Sequence, residues 1–361
     1  MQELKIAKVR EETHDVSTFF VRPQAEGLDW KPKAGQYITI EVEVKGESLR
    51  RSYSLCSAPY EEDLAFSIKR VEKGRVSNYM LDNMKEGSTL KMLGPDGKFV
   101  LLPDVESRKD YYFFAAGSGI TPVMAMIKTV LEQEPKSTAY LLYGNRSEDD
   151  IIFKDELDLM SSEYKDQLLI SYTLSQPKKE KKGGIGGFFS KGTVNWKGWK
   201  GRIDETMIHK FLELYPTRSR KNEFYICGPG NFINYTEQVL TLAGHDKKTI
   251  KKEYFSSPDD AQKAAPAIGG KAKIKVTLEG ETFELDHDNE KTILETIVDA
   301  GKNPPYSCTA GACSTCIAKT ISGKVSMDTC FALDDDEIND GYILTCQSRA
   351  ESAEVEIEYE E

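Results

Sequence analysis

Short apolar and polar alternations fill the first hundred residues, at Leu4–Val9, Val16–Arg22, Tyr37–Val44, Arg51–Leu55, Phe66–Val71 and Leu90–Leu93. A period of two is the mark of a strand with one buried face. Turn formers separate the runs at Gly46, Pro59, Gly87 and Gly94-Pro95-Asp96-Gly97, and one short helical pattern follows Ser77. Many short strands at this spacing predict an antiparallel β-barrel. From Asp110 the texture changes to apolar runs alternating with amphipathic stretches: Tyr111–Ala115, Pro122–Glu132, Thr138–Tyr143, Asp155–Met160, Leu168–Leu174, Ile203–Leu214, Glu223–Cys227 and Asn231–Ala243. That order predicts repeated βα units around a parallel sheet. The Lys- and Gly-rich stretch Gln176–Lys200 interrupts it without sustained periodicity and reads as a mobile surface excursion. Pro258–Gly270 has the composition of a linker. Beyond it, Lys273–Leu278 and Thr282–Leu285 read as a hairpin and Thr292–Ala300 as a helix, so the expected division is 1–104, 105–257, a linker at 258–272, and 273–361.

Composition adds limits to this multi-domain plan. The 361 residues are 39% hydrophobic and 30% charged, as in a soluble globular protein, and no apolar run approaches the roughly 18 residues of a membrane span. The opening MQELKIAKVR lacks a signal-peptide core, and seven cysteines in a chain without export signals suggest a reducing compartment, so cytoplasmic placement is expected. The net charge is −11, yet residues 273–361 alone carry 20 Asp/Glu against 7 Lys/Arg. The rest of the chain is therefore close to neutral. Such an asymmetry disfavours nucleic acid as a partner and favours a basic docking surface on whatever meets the C-terminal region; solubility alone would also account for it.

Chemistry enters at the cysteines. Cys308-x4-Cys313-x2-Cys316, with Cys346 after 29 intervening residues, matches the plant-type [2Fe–2S] spacing. Small residues between the ligands (Thr309, Ala310, Gly311, Ala312, Ser314, Thr315) allow backbone N–H groups to turn toward sulfur. Four cysteines can also hold zinc, although zinc ribbons pair two short knuckles, whereas three ligands here share one loop. Cys330 is an alternative fourth ligand, but Cys346 follows an apolar strand and fits better.

A one-electron centre needs a source of electrons. Arg51-Ser52-Tyr53-Ser54 offers a cation for a flavin phosphate, an aromatic cover for the ring and hydroxyls for its polar edge; taken alone it is equally an ordinary strand. Gly74-Arg75-Val76-Ser77 places a turn before a helix, which presents N–H groups to a pyrophosphate, and a simple Ser77 N-cap explains the same residues. After an apolar strand, Ala116-Gly117-Ser118-Gly119-Ile120-Thr121-Pro122 opens a helix with glycines suited to close approach of a pyrophosphate. Tyr225-Ile226-Cys227-Gly228-Pro229 ends another strand, where Cys227 is either part of a nucleotide site or a buried core thiol.

Together these segments resemble the ferredoxin–NADP reductase superfamily, Gly-x-Gly-Ile-Thr-Pro and Cys-Gly-Pro most specifically. The three-part order resembles the reductase components of bacterial multicomponent oxygenases. That resemblance implies an antiparallel β-barrel FAD domain, an α/β parallel-sheet NAD(P) domain and an α+β β-grasp ferredoxin domain. It implies FAD held by Arg51, Ser52, Tyr53, Ser54, Gly74, Val76 and Ser77, and the nucleotide held by Gly117, Gly119, Thr121, Pro122, Ser175, Cys227, Gly228 and Pro229. Tyr53, Ser54 and Cys227 are the implied catalytic group, and Phe255 or Glu253 would lie near the flavin or nicotinamide, unless they simply close a final strand. The family pattern also covers Tyr143-Gly144-Asn145-Arg146 and Ile151-Ile152-Phe153. NADP-preferring relatives place Ser-Arg where this chain has Ser175-Gln176; Lys178, Lys179, Lys181 and Lys182 offer replacement charge, which leaves NADPH expected and NADH possible. Electrons would pass from NAD(P)H through FAD and the cluster to an oxygenase docking on the acidic C-terminal region. A redox-sensing module, or a free flavin or ferric reductase, is the alternative.

Overall fold

The computed structural model describes residues 1–180, 193–219, 221–255 and 270–359. They divide into two compact units, one of Met1–Leu49, Tyr53–Pro95 and Phe99–Lys252, the other of Glu253–Glu361 with Arg50–Ser52 and Asp96–Lys98.

In the first unit, β1 (Gln2–Thr13), β2 (Val16–Val21), β3 (Tyr37–Val44), β4 (Glu47–Ser54), β5 (Leu64–Lys69) and β6 (Thr89–Asp96) form one sheet in the order β4-β3-β6-β1-β2-β5. A bridge from Leu55 to Phe66 joins its two ends, so the sheet closes as the expected barrel. Its interior is filled by Phe19, Ile38, Ile40, Phe66, Ile68, Leu90 and Met92, the inward positions of the alternation. The helix α1 (Arg75–Asn83) begins before Ser77, and Gly94-Pro95-Asp96 is the end of β6 rather than a turn. Only Gly97, at φ +115°, takes the turn conformation.

A parallel sheet follows, built from β7 (Asp110–Ala116), α2 (Ile120–Gln133), β8 (Thr138–Asn145), α3 (Lys154–Glu163), β9 (Leu168–Leu174), the short ladder β10 (Lys179–Glu180) with β11 (Thr193–Val194), β12 (Trp199–Lys200), α4 (Glu205–Leu214), β13 (Asn222–Gly228), α5 (Gly230–Leu242) and β14 (Ile250–Tyr254). Its order is β12-β9-β8-β7-β13-β14, so the chain reverses its direction of growth between β7 and β13. Ligands of such sheets bind at that reversal, beyond the strand C-termini. At the end of the Gln176–Lys200 stretch, β12 extends the sheet, Trp196 packs edge-on against Tyr172 and Trp199 against Phe211. Lys181 and Lys182 lie outside the described residues, as does most of the expected linker, at 256–269.

Ion pairs tie barrel to parallel sheet. Lys128 on α2 meets Glu61 at 3.0 Å and Glu156 at 2.7 Å, and Arg10 on β1 reaches Glu156 at 3.0 Å. Deeper in, fully buried Glu134 accepts hydrogen bonds from Tyr111, Ser137 and the Asp104 N–H, which satisfies its carboxylate away from water. At the foot of the sheet, burial raises the Glu223 carboxyl, but hydrogen bonds from Lys109 (2.7 Å), Tyr225 (2.8 Å) and Lys251 (3.0 Å) outweigh it and hold the group at about 2. A carboxyl held below its ordinary 4.5 gives stability that is complete above that pH and is lost as pH falls toward 2. Glu223→Gln is therefore expected to lower Tm at pH 7, by at most about 3 kcal/mol of stability. The gap to the parent should close in an acid series; an equal gap at both ends would show that the charge is not responsible.

In the second unit, β15 (Lys271–Leu278), β16 (Glu281–Asp288), α6 (Ile293–Asp299), β17 (Ile317–Ser322), β18 (Val325–Met327), α7 (Asp335–Asn339), β19 (Tyr342–Leu344), β20 (Ser348–Ala350) and β21 (Glu354–Glu358) complete the chain. The five-stranded sheet β16-β15-β21-β17-β19 is mixed, with β15 and β21 parallel at its centre. The helix α6 starts with a capping box: Thr292 accepts from the Glu295 N–H while Glu295 accepts from the Thr292 N–H. Asp334 and Glu337 repeat the device at α7, so the acidic run does begin a helix. Ile274, Val276, Ile293, Ile297 and Ile357 form its core, and a second cluster of Leu294, Leu333 and Leu344 packs against Cys316 and Cys346.

Candidate functional site

The cysteine loop connects α6 to β17 and is folded tightly by two left-handed residues, Thr309 at φ +53° and Gly311 at φ +69°. A Cβ on Gly311 would sit 2.8 Å from the Thr329 carbonyl, so the position suits glycine on both counts. The turn aims donors at sulfur: the N–H groups of Ala310 and Cys313 point to Cys308 Sγ at 3.4 and 3.3 Å, and the Thr315 hydroxyl to Cys313 Sγ at 3.4 Å. Cys346 arrives after β19, and Thr345 fixes it by donating from its N–H to the Cys316 carbonyl at 3.0 Å. Cys313, Cys316 and Cys346 are buried; Cys308 is half-buried.

The thiols influence one another two by two: Cys313 lowers the Cys308 thiol against the opposing effect of burial, and Cys316 likewise lowers that of Cys346. Among the described residues no three thiol sulfurs lie within 4.8 Å of one another. A single zinc with bonds of about 2.3 Å would draw all four sulfurs to within about 4 Å. Two pairs fit two irons, each with two protein thiolates. Cys330 is half-buried and packs beside Cys316 and Cys346 without joining either pair.

On β4, alternation gives Ser52 and Ser54 one face and Arg51 and Tyr53 the other. Tyr53 packs on Phe66 with ring centres 6.1 Å apart, Ser54 is buried, and Arg51 donates to the Arg50 carbonyl at 2.6 Å. The α1 N-terminus has Gly74 as its cap, with no side chain bonded to it. Ser77 is thus not the N-cap: it lies in the first turn, and its hydroxyl accepts from the Val71 N–H at 3.3 Å. A Cβ on Gly74 would stand 2.5 Å from that hydroxyl, which explains the glycine, and Val76 is buried beneath. The open first-turn N–H groups fit an anionic group such as a flavin pyrophosphate.

The β7–α2 turn lies at the reversal point of the parallel sheet. Gly117 adopts φ +55°, and a side chain there would project into open space. Gly119 is the opposite case: a Cβ would fall 2.1 Å from the Cys227 carbonyl oxygen, so this turn and the end of β13 pack backbone to backbone. Gly228 is held less closely, a Cβ there standing 2.9 Å from the Phe232 ring and 3.1 Å from the Ala116 methyl. The structure thereby brings Gly117, Gly119, Cys227 and Gly228 together. Thr121 donates to the Ser118 carbonyl at 3.0 Å and closes the turn, with Pro122 buried in the first turn of α2. Cys227 is fully buried, and Pro229 is exposed as the N-cap of α5. No side chain caps α2 either. An uncapped helix start above a glycine turn suits a dinucleotide pyrophosphate.

On the other side of α2, Tyr143 donates to the Gly117 carbonyl at 3.0 Å. Ser175 follows β9, its N–H bonded to the Asn145 carbonyl at 3.0 Å. Lys178 is not a free cation: its ammonium meets Asp149 at 2.5 Å, and its N–H donates to Glu148 at 2.9 Å. Phe255 is exposed just past β14.

Residues 3–101 match the family profile for the oxidoreductase FAD-binding domain, 113–191 that for the oxidoreductase NAD-binding domain, and 276–351 that for the 2Fe-2S iron-sulfur cluster binding domain. One of the subunits of 1,2-phenylacetyl-CoA epoxidase from Escherichia coli K12 is 32% identical over 361 residues, which cover 99% of this chain and 97% of that protein. The chain belongs to the ferredoxin–NADP reductase superfamily, in its three-domain oxygenase-reductase branch. The ferredoxin reductase component of 3-ketosteroid-9-alpha-monooxygenase from Mycolicibacterium smegmatis is 33% identical to this reductase, covering 99% and 97% of the two chains. Among solved structures, phthalate dioxygenase reductase covers 99% of the reductase and 98% of its own chain, at 25% identity and a TM-score of 0.59. The reductase is an NAD(P)H-dependent oxidoreductase using FAD and a [2Fe–2S] cluster. No helix among the described residues is long and apolar enough to cross a membrane.

Proposed function

We propose that this reductase oxidises NAD(P)H and delivers the electrons singly to an oxygenase component that docks on its acidic C-terminal region. The observation that carries the reading is the cysteine loop, whose Ala310 and Cys313 N–H groups point to Cys308 Sγ and which Thr345 ties to Cys346, in a chain that also holds the Gly117–Pro122 turn. When bound, FAD would supply hydride acceptance with single-electron release, and a [2Fe–2S] cluster held by Cys308, Cys313, Cys316 and Cys346 one-electron carriage. The protein's own part is placement. Arg51 neutralises a flavin phosphate, Tyr53 covers the ring, Ser54 meets its polar edge, and Gly74 to Ser77 offer N–H groups to the pyrophosphate. Cys227, Gly228 and Pro229 shape the nicotinamide end, Ser175 the far ribose, and Phe255 is the aromatic cover on the chain's return. Domains at 1–104, 105–257 and 273–361, with a linker at 258–272, accommodate these roles in a reducing cytoplasm.

The pairing of Lys178 with Asp149 engages one of the cations that follow Ser175, which weakens the case for NADPH. For docking, acidic side chains crowd the region beside the cluster: Asp334, Asp336 and Asp340 are exposed directly after Leu333, which packs against Cys316 and Cys346. Reduction of cytochrome c, a basic protein acceptor, is expected to slow severalfold between about 20 and 300 mM salt, as screening shortens the reach of these charges. Ferricyanide reduction serves as the small-acceptor control. Cytochrome c rates that ignore salt would remove the acidic surface from the account.

A further inference from the structure

Three residues in the middle of β4, Arg50–Ser52, belong to the second unit, together with the cysteine loop. Two contacts account for this. Arg50 is buried, and its guanidinium lies over the Tyr306 ring, 4.7 Å from the centroid, with Nη2 donating to Asn303 Oδ1 at 2.8 Å. The Ser52 hydroxyl donates to that of Ser307 at 2.6 Å, and Ser307 is only 1% exposed. Burying a guanidinium strips it of water, which ring and amide contacts must offset, so Arg50 is held in one place and does not sweep the surface.

Both contacts fall on Asn303-Pro304-Pro305-Tyr306-Ser307, the run that leads into Cys308. Consecutive prolines fix φ and leave such a run stiff. Held at Asn303, Tyr306 and Ser307, it sets where Cys308 stands. Cys308 is also the half-buried member of the ligand set, whereas Cys313, Cys316 and Cys346 are buried. On the strand side, Arg50 and Ser52 flank Arg51, whose Nη1 donates to the Arg50 carbonyl at 2.6 Å. We propose that Arg50 and Ser307 are positioning residues for the internal electron transfer, holding Cys308 to the flavin-binding strand so that electrons enter the cluster at that ligand. This rests on the reading of Arg51–Ser54 as flavin site and of Cys308 as cluster ligand. In each transfer one electron leaves the reduced flavin and one enters the oxidised cluster; no bond to a protein atom forms or breaks, and the proton that the flavin gives up goes to solvent.

The test uses the full chain with its flavin and cluster, mixed rapidly with NADH, with flavin bleaching followed by absorption and cluster reduction by freeze-quench EPR. In Arg50→Met and in Ser307→Ala, flavin bleaching should stay within about twofold of the parent, and the cluster signal produced by dithionite should be unchanged. Cluster reduction after flavin bleaching should be roughly 10- to 100-fold slower, because a small misplacement of reacting groups has effects of that size. Arg50→Lys, which keeps a cation for the Tyr306 ring, should recover part of the rate. Hydrogen exchange in the resting protein reads the same contacts without turnover: the amides of Tyr306, Ser307 and Cys308 should exchange severalfold faster in Arg50→Met, with β15 and β16 unchanged. Cluster reduction at the parent rate in both variants overturns the proposal, as does unchanged exchange in Arg50→Met. Loss of the dithionite signal in both variants also overturns it, since the contacts would then serve cluster assembly; if one variant alone loses that signal, the other decides. A parent that bleaches no flavin or shows no cluster signal contradicts the reading of the two sites, and the proposal falls with it. A parent that passes electrons beside variants that pass them equally fast removes Arg50 and Ser307 alone.

Discussion

Cys313→Ser is expected to abolish the [2Fe–2S] EPR signal and lower cytochrome c reduction by roughly 100-fold or more, while ferricyanide reduction by NAD(P)H stays within about twofold. The loss follows from the ligand set. Cys313 is one of the four expected cluster ligands, and its own N–H also points to Cys308 sulfur at 3.3 Å, so the change removes one thiolate from the site. No spare thiol replaces it, because Cys330 packs on the side of Cys316 and Cys346. The same variant separates the two halves of the chemistry: everything assigned to Arg51 through Ser54 and to Gly117 through Pro122 lies elsewhere in the sequence. Should Cys313→Ser reduce cytochrome c at the parent rate, the cluster is not the outlet.

The second large effect is expected at Gly119. An alanine Cβ there meets the Cys227 carbonyl oxygen at 2.1 Å, its carbon at 2.4 Å and the Gly228 nitrogen at 2.7 Å. These are backbone atoms of a central strand and cannot swing aside as a flexible side chain can. Gly119→Ala should therefore displace the turn from β13, cost about 1–3 kcal/mol of stability and slow flavin reduction by NAD(P)H roughly 100-fold. Gly117→Ala is the instructive contrast. Its Cβ meets nothing within 4 Å, so only the φ +55° backbone is strained and the free protein should lose about 1 kcal/mol. Stopped-flow flavin bleaching with chemical denaturation of both variants checks the pair. Rapid bleaching in Gly119→Ala would detach the turn from the nucleotide.

Much of this organisation is legible along the chain because its signals are local. Tyr37–Val44 and Leu168–Leu174 coincide with β3 and β9, each an apolar pattern bounded by turn formers. Three of the cluster ligands lie in one loop, so spacing alone names them. What escaped depends on contacts distant in sequence. Gly94-Pro95 reads as a turn, yet a proline without an N–H is tolerated at the end of a strand, and a Cβ on Gly94 would stand 3.3 Å from the Trp30 ring. Ser77 reads as a cap, yet the close approach of Gly74 to Val71 starts α1 earlier. The Lys-rich excursion reads as featureless because its order comes from Trp196 and Trp199, whose ring partners lie in β9 and α4. Lys178 reads as available charge until Asp149, nearly thirty residues earlier, is seen to hold it. The approach of Cys346 to the cysteine loop, fixed by the Thr345 N–H on the Cys316 carbonyl, exists only in three dimensions.

The central claim is that one chain takes electrons from a pyridine nucleotide through a flavin to a two-iron centre held by Cys308, Cys313, Cys316 and Cys346. Anaerobic titration of the full chain with NADH, followed by visible absorption and low-temperature EPR on the same samples, tests it most directly. The account predicts bleaching of flavin bands together with growth of a reduced [2Fe–2S] signal that integrates to about one spin per chain. Flavin bands that bleach with no iron–sulfur signal at any point in the titration would contradict it.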